Sequence, residues 1–87
     1  MAEQARQDRI HKLIALCVKN NLTPDKPGWG DRVRWLCLSQ FGLAKRAARD
    51  LAATVYGAWR GDHWKCMVQQ NEYLTEDQKQ KWLNEHR

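Results

Sequence analysis

The sequence predicts an all-α fold: a compact bundle of about five helices. Along most of the chain, apolar residues recur at intervals of three and four, the spacing of one buried helix face. Glycine, proline and asparagine, which end helices, fall between these stretches. A chain of 87 residues has little room for a second core, so we expect one domain over residues 1–87.

The first two predicted helices each have a clear buried face. The first ends at Asn20-Asn21, and its apolar residues follow helical spacing: Ile10, Leu13, Ile14, Cys17 and Val18. A loop over residues 22–30 holds both prolines. The second helix runs from about Asp31 to Gln40, with Val33, Leu36 and Cys37 on one face, and Gly42 ends it.

The third predicted helix runs from about Ala44 to Ala58 and is rich in strong helix formers. Its inward positions are expected to be Ala47, Ala48, Leu51, Val55 and Trp59. Arg60-Gly61 ends it.

Two further helices complete the prediction. Asp62 can cap a fourth helix with Trp64, Met67 and Val68 on one face, and Asn71 suits a left-handed residue at its exit. Residues 63–70 also alternate as a strand would, which makes a winged-helix variant the alternative. Thr75 and Gln78 form a capping box that opens a fifth helix, which carries Trp82 and Leu83.

Large and sulphur-containing side chains supply the expected core. We expect Trp35, Trp59 and Trp82 to fill it and Trp29 to fold over it as a lid. Cys17, Cys37 and Cys66 have wide spacing and apolar neighbours, which indicates buried, reduced thiols. No cysteine pair or histidine run predicts a metal site, and we expect no cofactor.

The positive charge lies in the middle of the chain. The net charge is +5, and eight basic and three acidic residues between Lys26 and Lys65 account for all of it. The flanks hold seven basic and seven acidic residues, which cancel. A phosphate-facing surface has this kind of charge distribution.

The residues around Gly42 resemble the general pattern of the helix-turn-helix superfamily. Leu38 lies four residues before the glycine, Leu43 directly after it, and Ala48 and Leu51 six and nine beyond. Ala44 departs from the pattern, because that position is often Ser or Thr. The resemblance covers about residues 33–55 and implies a second helix that enters the major groove of DNA.

The outward face of the third helix would then meet double-stranded DNA. It carries Lys45, Arg46, Arg49, Ala53, Tyr56 and Arg60. Cations there can neutralise phosphates or present an arginine fork to guanine. We expect Arg32, Arg34 and Lys65 to extend the phosphate contact.

Other functions remain as alternatives. One is a protein–protein adaptor whose helical surface presents Trp29 and Trp64, and another is binding of RNA or single strands. No glycine-rich phosphate loop or nucleophile–base pattern occurs, so we expect no enzymatic activity. We also expect an intracellular protein, because no stretch approaches the ~20 apolar residues of a membrane span and no signal peptide is evident.

Overall fold

The computed structural model describes residues 2–86, which form five helices. They are α1 (Ala2–Lys19), α2 (Trp29–Gln40), α3 (Lys45–Arg60), α4 (Trp64–Gln69) and α5 (Glu76–Glu85). The all-α prediction is confirmed. Residues 2–86 contain no strand, and α4 occupies most of the segment that the winged-helix alternative needed, so that alternative is wrong. The radius of gyration is 12.3 Å, close to the ~12 Å of a compact domain of this length.

Helix α1 is the centre of the packing, because it contacts α3, α4 and α5. Its predicted face is buried at Ile10, Leu13, Ile14 and Cys17. The helix ends at Lys19, and Asn21, two residues beyond it, adopts a φ of +54°. The N–H of Leu22 then donates to the Cys17 carbonyl oxygen at 2.8 Å, which satisfies one of the last carbonyls of the helix.

Helix α2 begins two residues earlier than predicted. Gly28, at a φ of +76°, precedes it, and Trp29 is its first residue. Trp29 is buried, which confirms the prediction that it covers the core, and its ring centroid lies 6.1 Å from that of Tyr56. The predicted inner face is buried at Val33, Leu36 and Cys37.

Trp35 is not a core residue, contrary to the prediction, because 64% of it is exposed. A helix turns about 100° per residue, which places Trp35 roughly 150° from the centre of the face that carries Val33, Leu36 and Cys37. Of the other two tryptophans predicted in the core, Trp82 is buried and Trp59 is half-buried.

Helix α3 buries Ala48, Leu51, Ala52 and Val55. Ala48, Leu51 and Val55 were predicted inward, whereas Ala52 was not. Ala47 is only half-buried, because it lies at the edge of the inward face.

The junction between α3 and α4 differs from the prediction. Asp62 does not cap α4, whose N-cap residue is His63; it has a φ of +61° and lies two residues after Arg60, the last residue of α3. The N–H of His63 donates to the Ala58 carbonyl oxygen at 2.9 Å. The N–H of Asp62 donates to the Trp59 carbonyl oxygen at 3.2 Å. These two bonds form a Schellman motif, and the short Asp side chain tolerates its left-handed position.

Asn71 is also used differently from the prediction. It is fully buried and is not among the residues with positive φ. Its Nδ2 donates to the His11 carbonyl oxygen at 2.8 Å, and its Oδ1 accepts from the N–H of Tyr73 at 2.9 Å. The buried amide therefore has partners and ties the segment after α4 to α1.

The start of α5 agrees with the prediction. The Thr75 side chain accepts from the N–H of Gln78 at 3.2 Å, and the Gln78 side chain accepts from the N–H of Thr75 at 3.0 Å. Both halves of the capping box are present.

The cysteines divide into two environments. Cys17 and Cys37 are buried as predicted, and burial raises the pKa of both thiols, that of Cys17 to about 12. Cys66 is exposed, which corrects the prediction. The buried residues of α4 are Trp64 and Val68, one turn apart, and Cys66 lies halfway between them on the opposite side of the helix.

Candidate nucleic-acid interface

The candidate site is the outward face of α3. Every residue predicted there is exposed: Lys45, Arg46, Arg49, Ala53, Tyr56 and Arg60. At about 100° per residue they occupy a stripe some 100° wide, whose centre lies about 120° around the helix from the centre of the buried face. Tyr56 is 43% exposed and also packs on Trp29, so part of its ring supports the fold.

The α3 cations are available to a ligand. In residues 2–86, three ion pairs occur, and they join Lys12 to Asp8, Arg34 to Asp31 and Lys79 to Glu76. None of them uses Lys45, Arg46, Arg49 or Arg60. Together these cations extend over a helix of 16 residues, about 24 Å long.

The N-terminus of α3 concentrates positive charge. Ala44 is its N-cap residue and provides no side-chain hydrogen bond. Lys45 and Arg46 occupy the first turn, where no acidic residue is present. A cation at this end costs about 0.3–1 kcal/mol, because the helix dipole is positive there. The positive end of the helix dipole, which no side chain caps, therefore lies beside two exposed cations, an arrangement that suits an anion.

The turn before α3 has the predicted conformation. Gly42 has a φ of +62°, and a Cβ built on it would meet no atom within 4 Å. Glycine is therefore required by backbone conformation and not by lack of space. The N–H groups of Phe41 and Leu43 both donate to the Cys37 carbonyl oxygen at 3.3 Å. Helices α2 and α3 pack against each other across this turn.

The three additional predicted residues lie in different places. Arg34 pairs with Asp31 and lines a groove between α2 and α3 together with Lys45 and Arg49. Arg32 lines a second groove, on the other side of Trp35. Lys65 is exposed on α4, which follows the C-terminal end of α3.

Sequence reasoning missed two arginines beside the α3 face. Arg6 and Arg9 of α1 line a groove with Ala53 and Thr54 of α3, and Arg6 Nη2 donates to Thr54 Oγ1 at 3.4 Å. Arg6 and Arg9 lie in the N-terminal flank. The basic and acidic residues of the two flanks cancel, so no excess of positive charge pointed to these two arginines. Only the packing of α1 on α3 brings them beside the stripe.

Trp35 was also missed as a surface residue. It lies beside Leu38, Lys45 and Arg49 in the groove between α2 and α3. The helical spacing of α2 was the available signal, since it places Trp35 opposite the buried face. The preference of large aromatic residues for the core outweighed that signal.

The described part of the chain contains neither a metal site nor a membrane-spanning helix. Among residues 2–86, no group of three His, Cys, Asp or Glu side chains is placed to hold a metal ion. Within the same residues, no helix combines the length and apolar character needed to span a bilayer. Comparisons of the chain with protein-family models, curated proteins and solved structures give no match.

Proposed function

We propose that this protein binds double-stranded DNA through the outward face of α3. The observation that carries the proposal is a set of four exposed cations on one helix face, Lys45, Arg46, Arg49 and Arg60, with no ion-pair partner in residues 2–86. Two of them lie in the first turn, where they oppose the stability of the helix. Residues that lower the stability of their own helix in this way are expected at functional sites.

The dimensions of α3 suit the major groove. That groove is about 12 Å wide and admits one helix. In this arrangement Lys45 and the N-terminal N–H groups of α3 contact phosphates, while Arg46 and Arg49 reach base edges. Ala53 allows close approach, and Arg60 contacts the backbone at the far end. The helix-turn-helix resemblance around Gly42 supports the same docking geometry.

The flanking arginines fit this arrangement. Arg34 lies on the α2 side of the stripe, and Arg6 and Arg9 lie on the α1 side. A duplex seated on α3 would present its two phosphate backbones to these two sides. We therefore add Arg6 and Arg9 to the predicted phosphate contacts.

The adaptor alternative loses the residues on which it was based. Trp29 and Trp64 are 7% and 2% exposed, so neither offers a surface to a protein partner. The exposed tryptophan is Trp35, and it lies among cations.

The experiment is a fluorescence-anisotropy titration with a short random duplex at two salt concentrations. If Lys45, Arg60, Arg6 and Arg9 each neutralise one phosphate, the logarithm of the binding constant should fall with the logarithm of salt with a slope of about −3.6. The double variant Arg46→Ala, Arg49→Ala should bind at least ~25-fold more weakly, because each arginine contact with a base contributes at least about 1 kcal/mol. Its melting should match the parent, since exposed substitutions change stability by within about 0.5 kcal/mol each.

A matched control variant also removes two positive charges, but from outside the α3 face. Lys19 and Lys81 are exposed on α1 and α5 and belong to a separate groove. The double variant Lys19→Ala, Lys81→Ala should keep most of the affinity. Equal losses in both double variants would mean that net charge, and not the α3 face, attracts DNA. Full affinity in the arginine variant would contradict the proposal.

A further inference from the structure

A groove between α2 and α3 combines an aromatic ring with cations. Arg34, Trp35 and Leu38 line it from α2, and Lys45, Ala48 and Arg49 line it from α3. Its volume is about 430 Å³. Trp35 is 64% exposed and Leu38 is 39% exposed, so the apolar part of the groove is open to solvent.

The charges at this groove favour an anionic ligand. Asp31, the acidic residue that also lines it, already pairs with Arg34. Lys45 and Arg49 have no ion-pair partner among the described residues. A ligand that covers the exposed indole while contacting these two cations needs a flat apolar surface next to a negative charge. A nucleotide has both, since its base can stack on an indole and its phosphate can meet a lysine or arginine.

The groove is continuous with the proposed DNA-binding face. Lys45 and Arg49 belong to both, because they line the groove and lie on the outward stripe of α3. A strand held along α3 therefore passes the edge of the groove. In a duplex the bases are stacked inside and cannot reach Trp35. A base that has no pairing partner can reach it.

We propose that the groove takes one unpaired base, stacked on Trp35, with its phosphate held by Lys45 at the edge of the groove. The DNA class bound best is then a duplex with a single-stranded extension, and not a blunt duplex. This inference rests on the proposed function for the duplex part of the contact. Stacking on an aromatic side chain is largely independent of base sequence. The groove therefore distinguishes unpaired bases from paired ones, and not one base from another.

The test compares a blunt duplex with the same duplex carrying a short thymidine overhang at either end. The parent should bind at least one overhang DNA about 5- to 150-fold more tightly, the range expected for one stacked base. Trp35→Ala should remove that advantage and leave affinity for the blunt duplex within about twofold. Trp35→Phe should retain part of it, because a smaller ring still stacks.

Tryptophan fluorescence gives a second readout. Trp29, Trp64 and Trp82 are buried and Trp59 is half-buried, so Trp35 is the most exposed indole. Overhang DNA should quench the long-wavelength emission of the parent but not that of Trp35→Ala. Polyglutamate, a polyanion without bases, should not quench it. Equal quenching by polyglutamate would show that the groove binds acidic chains, such as a protein segment, and would overturn the inference.

The outcomes separate the two proposals. If the parent binds blunt and overhang DNA equally, or if Trp35→Ala weakens both equally, the groove holds no base, while duplex binding stands. If blunt duplex does not bind but overhang DNA binds in a Trp35-dependent way, the groove inference survives and the duplex proposal fails. If neither DNA binds, both proposals are wrong.

Discussion

Replacing Ala44 with serine should stabilise the protein, because it supplies the side-chain cap that α3 lacks. Thr75, the N-cap residue of α5, shows the backbone geometry of a residue that caps its helix. Ala44 has φ −67° and ψ 158°, whereas Thr75, the cap of α5, has φ −75° and ψ 162°. Thr75 accepts a hydrogen bond from the N–H of Gln78, three residues on. A serine hydroxyl at position 44 is therefore placed to accept from the N–H of Ala47 in the same way.

The expected gain is about 1 kcal/mol, within the range of about 0.5–2 kcal/mol measured for N-cap substitutions. In a domain of this size that corresponds to a rise in Tm of about 4–8 °C. Thermal melting followed by circular dichroism measures it. Thr75→Ala is the matched control, and it should lower stability by a similar amount because it removes an existing cap.

A third variant connects this position with DNA binding. Ala44→Asp caps the helix as serine does but adds a negative charge where we propose that a phosphate lies. It should stabilise the fold and weaken duplex binding, whereas Ala44→Ser should weaken binding much less. If serine leaves the Tm unchanged while Thr75→Ala lowers it, our account of the α3 N-terminus is wrong. If aspartate and serine variants bind DNA equally well, no phosphate lies there.

Two other predictions test the backbone and the thiols. Gly42→Ala should destabilise by about 1–2 kcal/mol because of its positive φ, whereas Gly57→Ala, inside α3 and with open space around it, should stabilise by about 0.5–1 kcal/mol in the same melting assay. A Gly42→Ala variant that is as stable as the parent, or more stable, would refute the turn conformation. In the native protein a thiol reagent should modify Cys66 rapidly, while Cys17 and Cys37 react only after unfolding, because burial raises the pKa of both. Rapid modification of more than one thiol, counted by mass, would contradict the burial of Cys17 and Cys37.

Features set by neighbours in sequence were predicted well. Helices α1, α2 and α3 each repeat apolar residues at helical spacing, and α5 opens with a capping box formed within four residues. The exposure of the α3 stripe followed from the same periodicity, because the outward residues occupy a separate side of the helix from the buried ones.

Features set by distant partners were not predicted. The burial of Asn71 depends on the carbonyl of His11, 60 residues earlier, and no local pattern contains that information. Asp62 suits either a helix start or a left-handed end, and in the structure it takes the left-handed position of the hydrogen-bonded end of α3. The grooves beside α3 likewise depend on how α1 and α2 pack against it.

The central position of α1 has a consequence for synthesis on the ribosome. Helices α2 and α3 are neighbours in sequence and pack against each other, so they can associate soon after both leave the exit tunnel. The apolar face of α1 is made earlier, yet it packs against α4 and α5, which are made later. Part of that face must therefore wait for Trp64, Val68 and Trp82 to emerge. During this interval the nascent chain exposes part of the apolar face of α1, which is when a chaperone would be most useful.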